Sequence, residues 1–356
     1  AWGSDVRMEI EIRPIDFREA TREQWELYHK FRRIQHDEEN PGDPIFDDES
    51  EEVWMDSVYE DFDVFTYYVT PSDKPSEMIA LLRARYVSEG APSYPGNEHI
   101  MRTLLYVLKD YRHQGIGREL MQIVVDLAQE HGKSLIMTGA SQEDGRNALK
   151  KLGAKEALHT SDNRTNIDEI DWEMVKKWDE EGPIRSPDTK LEFYSKIPEE
   201  ILEDYCKVYT EVLNQAPIDE LDRGDIVVTP ELWRKDEERI KETGMTWITA
   251  LTREKDGNIS GMTDVYYEPK HTHMLYQSLT GVQENYRGSG KGKWLKAAML
   301  LKIREEYPDI KIITTGNATS NAPMLAINER LGFKVHKEYY SYQIETENVT
   351  NYLKKK

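Results

Sequence analysis

The chain has 356 residues, and a usual size of about 150 residues per domain predicts two domains. Lys and Arg number 47 against 67 Asp and Glu, which gives a formal net charge of −20. Proteins whose main partner is nucleic acid usually carry a basic footprint, so this balance argues against DNA or RNA. No apolar run approaches the roughly 18 residues that a membrane span needs. Cys206 is the single cysteine, which excludes an internal disulfide and a cysteine-built metal site and makes the cytoplasm the expected location.

The sequence repeats itself. Residues 107–120 align without a gap on residues 282–295, with identical residues at Val, Tyr, Arg, both Gly and the closing Leu. Further on, Thr138-Gly139 corresponds to Thr315-Gly316, and Leu152-Gly153 to Leu331-Gly332. Two copies of one domain explain this pattern. The Pro- and Gly-containing stretch 181–187 between them is the expected linker, which predicts domains at 8–182 and 188–356.

The same order of elements is predicted in both copies. An opening strand (10–15; 190–195) precedes two helices, at 22–35 and 51–61 in the first copy and at 199–214 and 230–243 in the second. Three β-rich runs follow, and the third ends at a glycine motif that opens a helix with an apolar face. Another strand and a helix ending at Leu-Gly complete each copy. Mixed strands with helices on both sheet faces predict the α/β class.

The glycine motif is a candidate anion-binding turn. Arg112-x-x-Gly115-x-Gly117 and Arg287-x-x-Gly290-x-Gly292 each stand between a strand and a helix. Backbone amides at a helix start have no intrahelical partners, and glycines let a phosphate approach closely. A Walker A loop is excluded because Lys293 is followed by Trp294 and not by a hydroxyl residue. Neither copy supplies the Gly-x-Gly-x-x-Gly of a dinucleotide site.

A strand followed by Arg/Gln-x-x-Gly-x-Gly/Ala and a helix is similar to the acyl-CoA loop of the GNAT superfamily of N-acetyltransferases. Residues 321–333, which close with Leu-Gly-Phe, are similar to that family's next helix. The two copies cover nearly the whole chain, so the sequence resembles a tandem GNAT protein, the arrangement also seen in mycothiol synthases. The resemblance implies two tandem GNAT-like domains, each a mixed, mostly antiparallel twisted sheet with helices on both faces.

The resemblance also implies acetyl-CoA as the acyl donor and a primary amine that attacks the thioester directly. The loop amides are expected to bind the pyrophosphate of CoA, and the segment after the next strand its pantetheine arm. The cofactor-binding residues implied in the second copy are Val282, Arg287, Gly288, Ser289, Gly290, Lys291, Gly292, Lys293, Asn317 and Asn321. Those implied in the first copy are Val107, Arg112, Gln114, Gly115, Ile116, Gly117 and Arg118.

The expected catalytic residues are Tyr276 and Ser278. They alternate on the strand before the second loop, at positions where the family often places a base, and Met101 and Thr103 are their expected counterparts in the first copy. A strand tyrosine that only packs is the alternative for Tyr276. The family's usual acid, a tyrosine four residues before the Gly of Leu-Gly-Phe, is replaced by Leu149 and Asn328. The acid is therefore missing from both copies, or a tyrosine such as those at 339–342 supplies it.

These features predict a cytoplasmic N-acetyltransferase that acts on a small-molecule amine in preference to a protein. The C-terminal domain is the expected active site, because Asn317 is matched by Ala140 and because Glu143 and Asp144 would repel a polyanionic cofactor in the first copy. A non-catalytic acyl-CoA-binding or interaction protein is the alternative, since the usual acid is absent.

Several partners are not expected. His271 and His273 form the only close histidine pair and lack ligands at suitable spacing, so no metal is predicted. Neither a membrane nor a nucleic acid is expected as a partner. The chain is expected to be a monomer with two pseudo-dimeric halves, or a homodimer, and Cys206 a packing residue and not a nucleophile.

Overall fold

The structure is a computed structural model that describes residues 7–355. The chain forms two compact units. The first unit comprises residues 7–157, Glu220–Asp225 and 340–355, and the second comprises 158–219 and 226–339. These units differ from the predicted division into 8–182 and 188–356, which follows the sequence repeat. Each unit takes a strand and a helix from the end of the other repeat.

Eleven elements make up the first repeat. Its strands are β1 (Ile10–Pro14), β2 (Phe62–Pro71), β3 (Ala80–Val87), β4 (Ile100–Val107), β5 (Leu135–Ala140) and β6 (Lys155–Asn166). Its helices are α1 (Arg22–Glu39), α2 (Asp48–Met55), α3 (Ile116–Glu130), α4 (Glu143–Leu152) and α5 (Trp172–Arg185). The predicted helices and strands of this repeat are present, with two differences in their bounds. Helix α1 is four residues longer than the pattern indicates, and the helix predicted at 51–61 ends at Met55, after which a 3₁₀ turn (Asp56–Tyr59) leads to β2.

The second repeat has the same order of elements. Its strands are β7 (Lys190–Tyr194), β8 (Thr246–Arg253), β9 (Ile259–Tyr267), β10 (Met274–Val282), β11 (Ile312–Ala318) and β12 (Lys334–Glu345). Its helices are α6 (Glu199–Gln215), α7 (Pro230–Thr243), α8 (Lys291–Glu306), α9 (Ala322–Arg330) and α10 (Thr346–Lys354).

The sheet of the first unit runs in the order β1, β2, β3, β4, β5 and the end of β12. Only β4 and β5 are parallel. The swapped strand β12 places Tyr340 opposite Ala140 and Glu345 opposite Leu135. Helices α1 and α2 cover one sheet face with a core around Phe31, and α3 and α10 cover the other with a core around Leu120.

The sheet of the second unit runs in the order β7, β8, β9, β10, β11 and β6, and only β10 and β11 are parallel. Strand β6 of the first repeat pairs here with β11. Helices α8 and α5 pack together over one face, and α6 packs against β9 and β10 on the other. Both units therefore have the predicted mixed, mostly antiparallel sheet with helices on both faces.

Local sequence signals fix several helix ends. Thr21 and Gln24 form a capping box at the start of α1. Thr229 caps α7, in which Pro230 occupies the first position and needs no amide partner. Gly153 ends α4 with φ of +84°, which suits a residue without a Cβ.

The predicted linker 181–187 is wrong for a physical reason. Helix α5 continues to Arg185, with Pro183 in its last turn. Gly182 is buried, and a Cβ at this position would lie 2.2 Å from Cδ2 of Trp294. This glycine permits close packing of α5 on α8, and it does not mark a flexible connection.

Candidate active site

Both units carry a strand–turn–helix segment at the glycine motif. Val107 ends β4, and a single 3₁₀ turn leads to Gly115, which caps α3 with φ of +87°. In the second unit Val282 ends β10, and Gly290 caps α8 with φ of +79°. Positive φ favours glycine, so the turn geometry explains both residues. The first-turn amides after each glycine have no intrahelical acceptor and suit a phosphate group.

The motif arginine braces this turn in both units. Arg112 donates from Nε to the Val107 carbonyl at 2.9 Å, and Arg287 donates to the Val282 carbonyl at 3.1 Å. Arg112 also contacts Asp144 at 3.2 Å, which places that carboxylate beside the first loop. These arginines hold the loop against the end of the strand and thereby position its amides.

A second arginine lies beside each capping glycine, and sequence reasoning missed both. Arg7 Nη2 is 2.9 Å from where a Cβ would stand at Gly115, and Arg185 Nη1 is 3.2 Å from the same point at Gly290. Arg7 and Arg185 each precede the first strand of a repeat. Their similar positions in the two repeats, outside the glycine motif, were the signal that could have identified them. Both side chains are exposed, and each adds a positive charge next to the free amides.

Two predicted cofactor-binding cations contact groups of the protein itself. Lys291 is buried and donates from Nζ to Ser289 Oγ at 2.8 Å, with Glu254 Oε1 at 3.7 Å. Arg118 donates to the Leu353 carbonyl at 2.7 Å and so caps the end of α10. Asn321, the N-cap residue of α9, makes no side-chain capping hydrogen bond to that helix.

A cation–π contact recurs at the first turn of both loop helices. Lys293 Nζ lies 5.6 Å from the centre of the Trp178 ring, and Arg118 lies 5.7 Å from that of Tyr352. Helices α5 and α10 thus occupy equivalent places in the two units. In the second unit this contact borders a pocket of about 500 Å³ that Arg185 also lines.

The parallel strands of each unit stay paired over a short distance only. Strand β10 pairs with β11 from Met274 to Gln277, and β4 pairs with β5 from Ile100 to Arg102. Each strand then continues toward its glycine loop without that neighbour. The gap lies directly before the loop, where the family resemblance implies the pantetheine arm.

A β-bulge distinguishes the second unit. The register between β9 and β10 shifts between Gln277 and Thr280, which leaves Ser278 and Leu279 opposite Asp264. The Leu279 amide donates to Asp264 Oδ1 at 2.8 Å.

The bulge corrects one comparison made from the sequence. Strand β4 pairs with β3 without any shift, so the second copy has one extra residue in this strand. Counted from the pairing, Tyr276 corresponds to Arg102 and not to Met101, and Thr103 corresponds to Gln277. An alignment of the two repeats with one constant difference in residue number therefore pairs the wrong residues on the N-terminal side of the bulge.

A buried lysine lies at the α8 face of the second unit's gap. Lys296 is 2% exposed and donates from Nζ to Asn328 Oδ1 at 2.7 Å, with Gln277 Oε1 at 3.5 Å. Asn328 in turn donates to Asn317 Oδ1 at 2.8 Å. Asn328 is the residue that occupies the position of the family's acid, so the lysine places a proton donor at that position.

Burial lowers the pKa of Lys296 from 10.5 to about 7. A lysine of this kind exchanges its proton near neutral pH. The aligned residues of the first copy are Met121, Leu149 and Ala140, which carry no titratable group. The polar chain is thus a feature of the second unit alone.

A buried carboxyl lies on the opposite face of the same sheet. Asp264 is fully buried and accepts from Trp247 Nε1 at 3.0 Å. The Trp247 ring is 5.2 Å from that of Tyr266 and 4.2 Å from that of Trp233. The neighbouring rings belong to Tyr205, Tyr209 and Trp233.

Burial raises the pKa of Asp264 to about 6, against the lowering effect of its hydrogen bonds to Leu279, Trp247 and Ser278. The predicted residue Ser278 therefore contacts a titratable group. Tyr276, the other predicted residue, lies opposite Tyr266 on this face and is 37% exposed. A carboxyl among aromatic rings is typical of a site that accepts a cationic amine.

Sequence reasoning missed both Lys296 and Asp264. Each is the one charged residue within an otherwise uncharged stretch, at 294–300 on α8 and at 259–267 on β9. An isolated charge on a face that the periodicity assigns to the core was the available signal.

Two other expectations concern single residues, Cys206 and the tyrosines at 339–342. Cys206 is buried and its pKa is raised to about 12 by burial, as expected of a packing residue. Tyr342 is buried in the first unit at 1% exposure. In residues 7–355, no group of three His, Cys, Asp or Glu side chains is arranged to hold a metal ion. No helix in that range is long and apolar enough to cross a membrane.

Residues 21–154 match the sequence model of the acetyltransferase (GNAT) family. The match covers most of the first repeat and includes its glycine loop. Comparison with curated protein sequences gives no match.

Solved structures share the fold along nearly the whole chain. A tandem GNAT protein from the clavulanic acid biosynthesis pathway aligns with a TM-score of 0.74 at 19% identity, covering 95% of this chain and 99% of its own. A GCN5-related N-acetyltransferase from Sphaerobacter thermophilus aligns at 0.58 and 14% identity, covering 95% and 96%. N-myristoyltransferase from Saccharomyces cerevisiae, solved with myristoyl-CoA, aligns at 0.55 and 12% identity, covering 96% and 80%.

Proposed function

We propose that the chain is a tandem GNAT acyltransferase that uses an acyl-CoA, and that its second unit transfers the acetyl group of acetyl-CoA to a primary amine. The family match over residues 21–154 and the fold shared with a tandem GNAT protein support this proposal. The observation that carries this proposal is the contact between Lys296 and Asn328. It puts a proton donor where the family's acid is missing from the sequence, and the first unit has Met121 and Leu149 at the aligned positions.

Acetyl-CoA would lie along the gap between β10 and β11. The amides after Gly290 and the guanidinium of Arg185 would bind the pyrophosphate, and Arg287 holds the loop in place. The pantetheine arm would follow β10 toward the bulge at Ser278 and Leu279. This route leads the thioester toward the region between Lys296 and Asp264.

The amine would approach from the face of α6. Asp264 and the rings of Trp247 and Tyr266 supply a negative charge and aromatic faces, which together attract a cationic amine. A small amine fits this proposal, because the carboxyl is fully buried behind those rings. Tyr276, partly exposed on the same face, would contact the acceptor.

The proposed reaction needs three proton transfers. Asp264, with its pKa raised to about 6, takes a proton from the bound ammonium and makes its nitrogen nucleophilic. The nitrogen attacks the acetyl carbon, the new C–N bond forms and the C–S bond breaks. Lys296 gives its proton to the leaving thiolate, and the second proton of the nitrogen passes to water. The products are an acetamide and CoA with a free thiol.

The test is an assay of free thiol with acetyl-CoA and a panel of amines that includes polyamines, aminoglycosides and lysine peptides. We expect thiol release that depends on one class of small amine. Stabilisation of the protein by CoA without thiol release from any amine would instead support a protein that binds acyl-CoA without catalysis.

A further inference from the structure

Three arginines of the first unit occupy the sheet positions that hold Asp264, Tyr266 and Tyr276 in the second. Strand pairing matches Arg83 with Asp264, Arg85 with Tyr266 and Arg102 with Tyr276. Arg85 lies directly opposite Arg102, and Arg83 is two residues along the same face of β3. Equivalent faces of the two sheets therefore differ in charge, with three arginines in the first unit and a carboxyl group and two tyrosines in the second.

The hydrogen bonds of the four guanidinium groups in this region go to neutral acceptors. Arg83 contacts Met55 Sδ at 3.2 Å, and Arg85 donates to a backbone carbonyl, that of Val58, at 3.3 Å. Arg102 donates to Asn97 Oδ1 at 3.1 Å. The fourth arginine, Arg223, lies in the 220–225 segment of the same unit and donates to the Gly224 carbonyl at 3.1 Å. Within residues 7–355, none of the four forms an ion pair with a carboxylate.

Some of the donors here have no partner at all. The Nε groups of Arg83 and Arg102 are buried and make no hydrogen bond to any described residue. The hydroxyl of Thr66, which lies opposite Arg83 on β2, is buried without a partner as well. Buried donors are normally satisfied, so three such donors on neighbouring strands indicate an acceptor that the chain does not supply.

Like charges face each other here at a cost. Directly opposed like charges destabilise a sheet pair, and partial burial increases the repulsion. Burial lowers the pKa of Arg85 to about 10, and the charges of Arg83 and Arg102 add to that effect. Asp225 partly offsets the charge of Arg223, whereas the charges that act on Arg85 are those of Arg83 and Arg102.

We propose that Arg83, Arg85 and Arg102, with Arg223 beside them, form a binding site in the first unit for a small molecule that carries a carboxylate or phosphate group. The planar guanidinium forks match the paired oxygens of such a group and would use the free Nε donors. This site is separate from the glycine loops and does not depend on acetyl transfer by the second unit.

The test compares thermal stabilisation by sodium phosphate and by sodium citrate with sodium chloride at equal ionic strength. It is made in the Gly115→Val/Gly290→Val background, so that neither glycine loop contributes an anion site. We expect phosphate or citrate to raise the melting temperature. A response to phosphate alone assigns a phosphorylated ligand, and a response to citrate alone a polycarboxylate.

Arg85→Met and Arg102→Met are expected to weaken that anion's binding about tenfold or more, since each removes a charge-assisted hydrogen bond. Arg13→Met, which removes an exposed arginine from β1, is the matched control and should leave the binding unchanged. Without ligand, both cluster variants should be as stable as the parent or more so, because like-charge repulsion is relieved. No stabilisation by either anion, an equal loss in the Arg13 control, or destabilised cluster variants would each overturn the proposal.

Discussion

Replacing Lys296 by methionine, the residue that the first copy has at the aligned position, should lower activity without lowering stability. Lowering the pKa of a lysine from 10.5 to about 7 corresponds to about 5 kcal/mol of unfavourable burial of the charged form. The substitution also leaves Asn328 Oδ1 without its hydrogen-bond donor, which lowers the free energy of unfolding by about 1–3 kcal/mol. The variant should therefore be at least as stable as the parent at pH 6.

The size of this stability difference between variant and parent depends on pH. The folded protein holds the Lys296 proton less tightly than the unfolded chain, so stability of the parent rises as pH increases from about 7 to 10.5. The stability advantage of Lys296→Met is greatest below pH 7 and disappears above 10.5. Urea unfolding at pH 6 and pH 10 measures this difference.

The effect on catalysis should be large. A positioned general acid usually contributes a factor of about 10² to 10⁴, so kcat should fall about 100-fold or more while the affinity for CoA is kept. Lys302→Met is the matched control, since Lys302 lies on the same helix and pairs with Glu306 at its outer side. A variant whose kcat stays within threefold of the parent would refute the assignment of Lys296 as the proton donor.

Two further changes test other parts of the structure. Asp264→Asn should abolish the acidic limb of the kcat profile, which rises near pH 6 in the parent. It should also remove the loss of stability that the parent shows as pH increases from 3.8 to 6, because the folded state holds the Asp264 proton more tightly than the unfolded chain does. Steady-state rates and unfolding free energies from pH 4 to 8 measure both effects, and an unchanged acidic limb would contradict the role of Asp264 as base. Gly182→Ala should destabilise the protein by about 1–3 kcal/mol, since the new Cβ would meet the Trp294 ring, whereas helix propensity alone predicts stabilisation. Gly117→Ala in α3, where a Cβ meets nothing within 4 Å, is its control, and equal unfolding free energies for the two variants would exclude the packing argument.

The sequence was sufficient for much of the fold because its signals are local. The glycine that caps each loop helix, the capping residue Thr229 of α7 and the apolar periodicity of α3 all act within a few residues. The repeat then supplied the architecture, since two copies of one pattern predict two copies of one sheet.

What the sequence did not reveal depends on contacts between distant segments. Strands β6 and β12 have the pattern of any last strand, and nothing local distinguishes pairing with their own repeat from pairing with the other. The bulge at Ser278 and Leu279 adds one residue to the nine-residue strand β10, which is too small a change to detect in an alignment of two copies. It nevertheless changes which residues of β10 and β4 correspond.

The candidate site was predictable in its loops and not in its interior. Gly115 and Gly290 follow from backbone geometry, which a motif records. Lys296 and Asp264 are defined by burial and by partners such as Asn328 and Trp247, which lie 32 and 17 residues away in the chain. A charged residue in an apolar run gives a hint of such a site, and only the packed structure shows what surrounds it.

The central claim, that the second unit carries the catalysis, is tested most directly by turnover in two loop variants. Gly115→Val and Gly290→Val place the same branched side chain at the same left-handed position in the two units. We expect Gly290→Val to abolish thiol release and Gly115→Val to retain it, with both variants folded. Retained turnover in Gly290→Val together with its loss in Gly115→Val would assign the catalysis to the first unit and contradict this account.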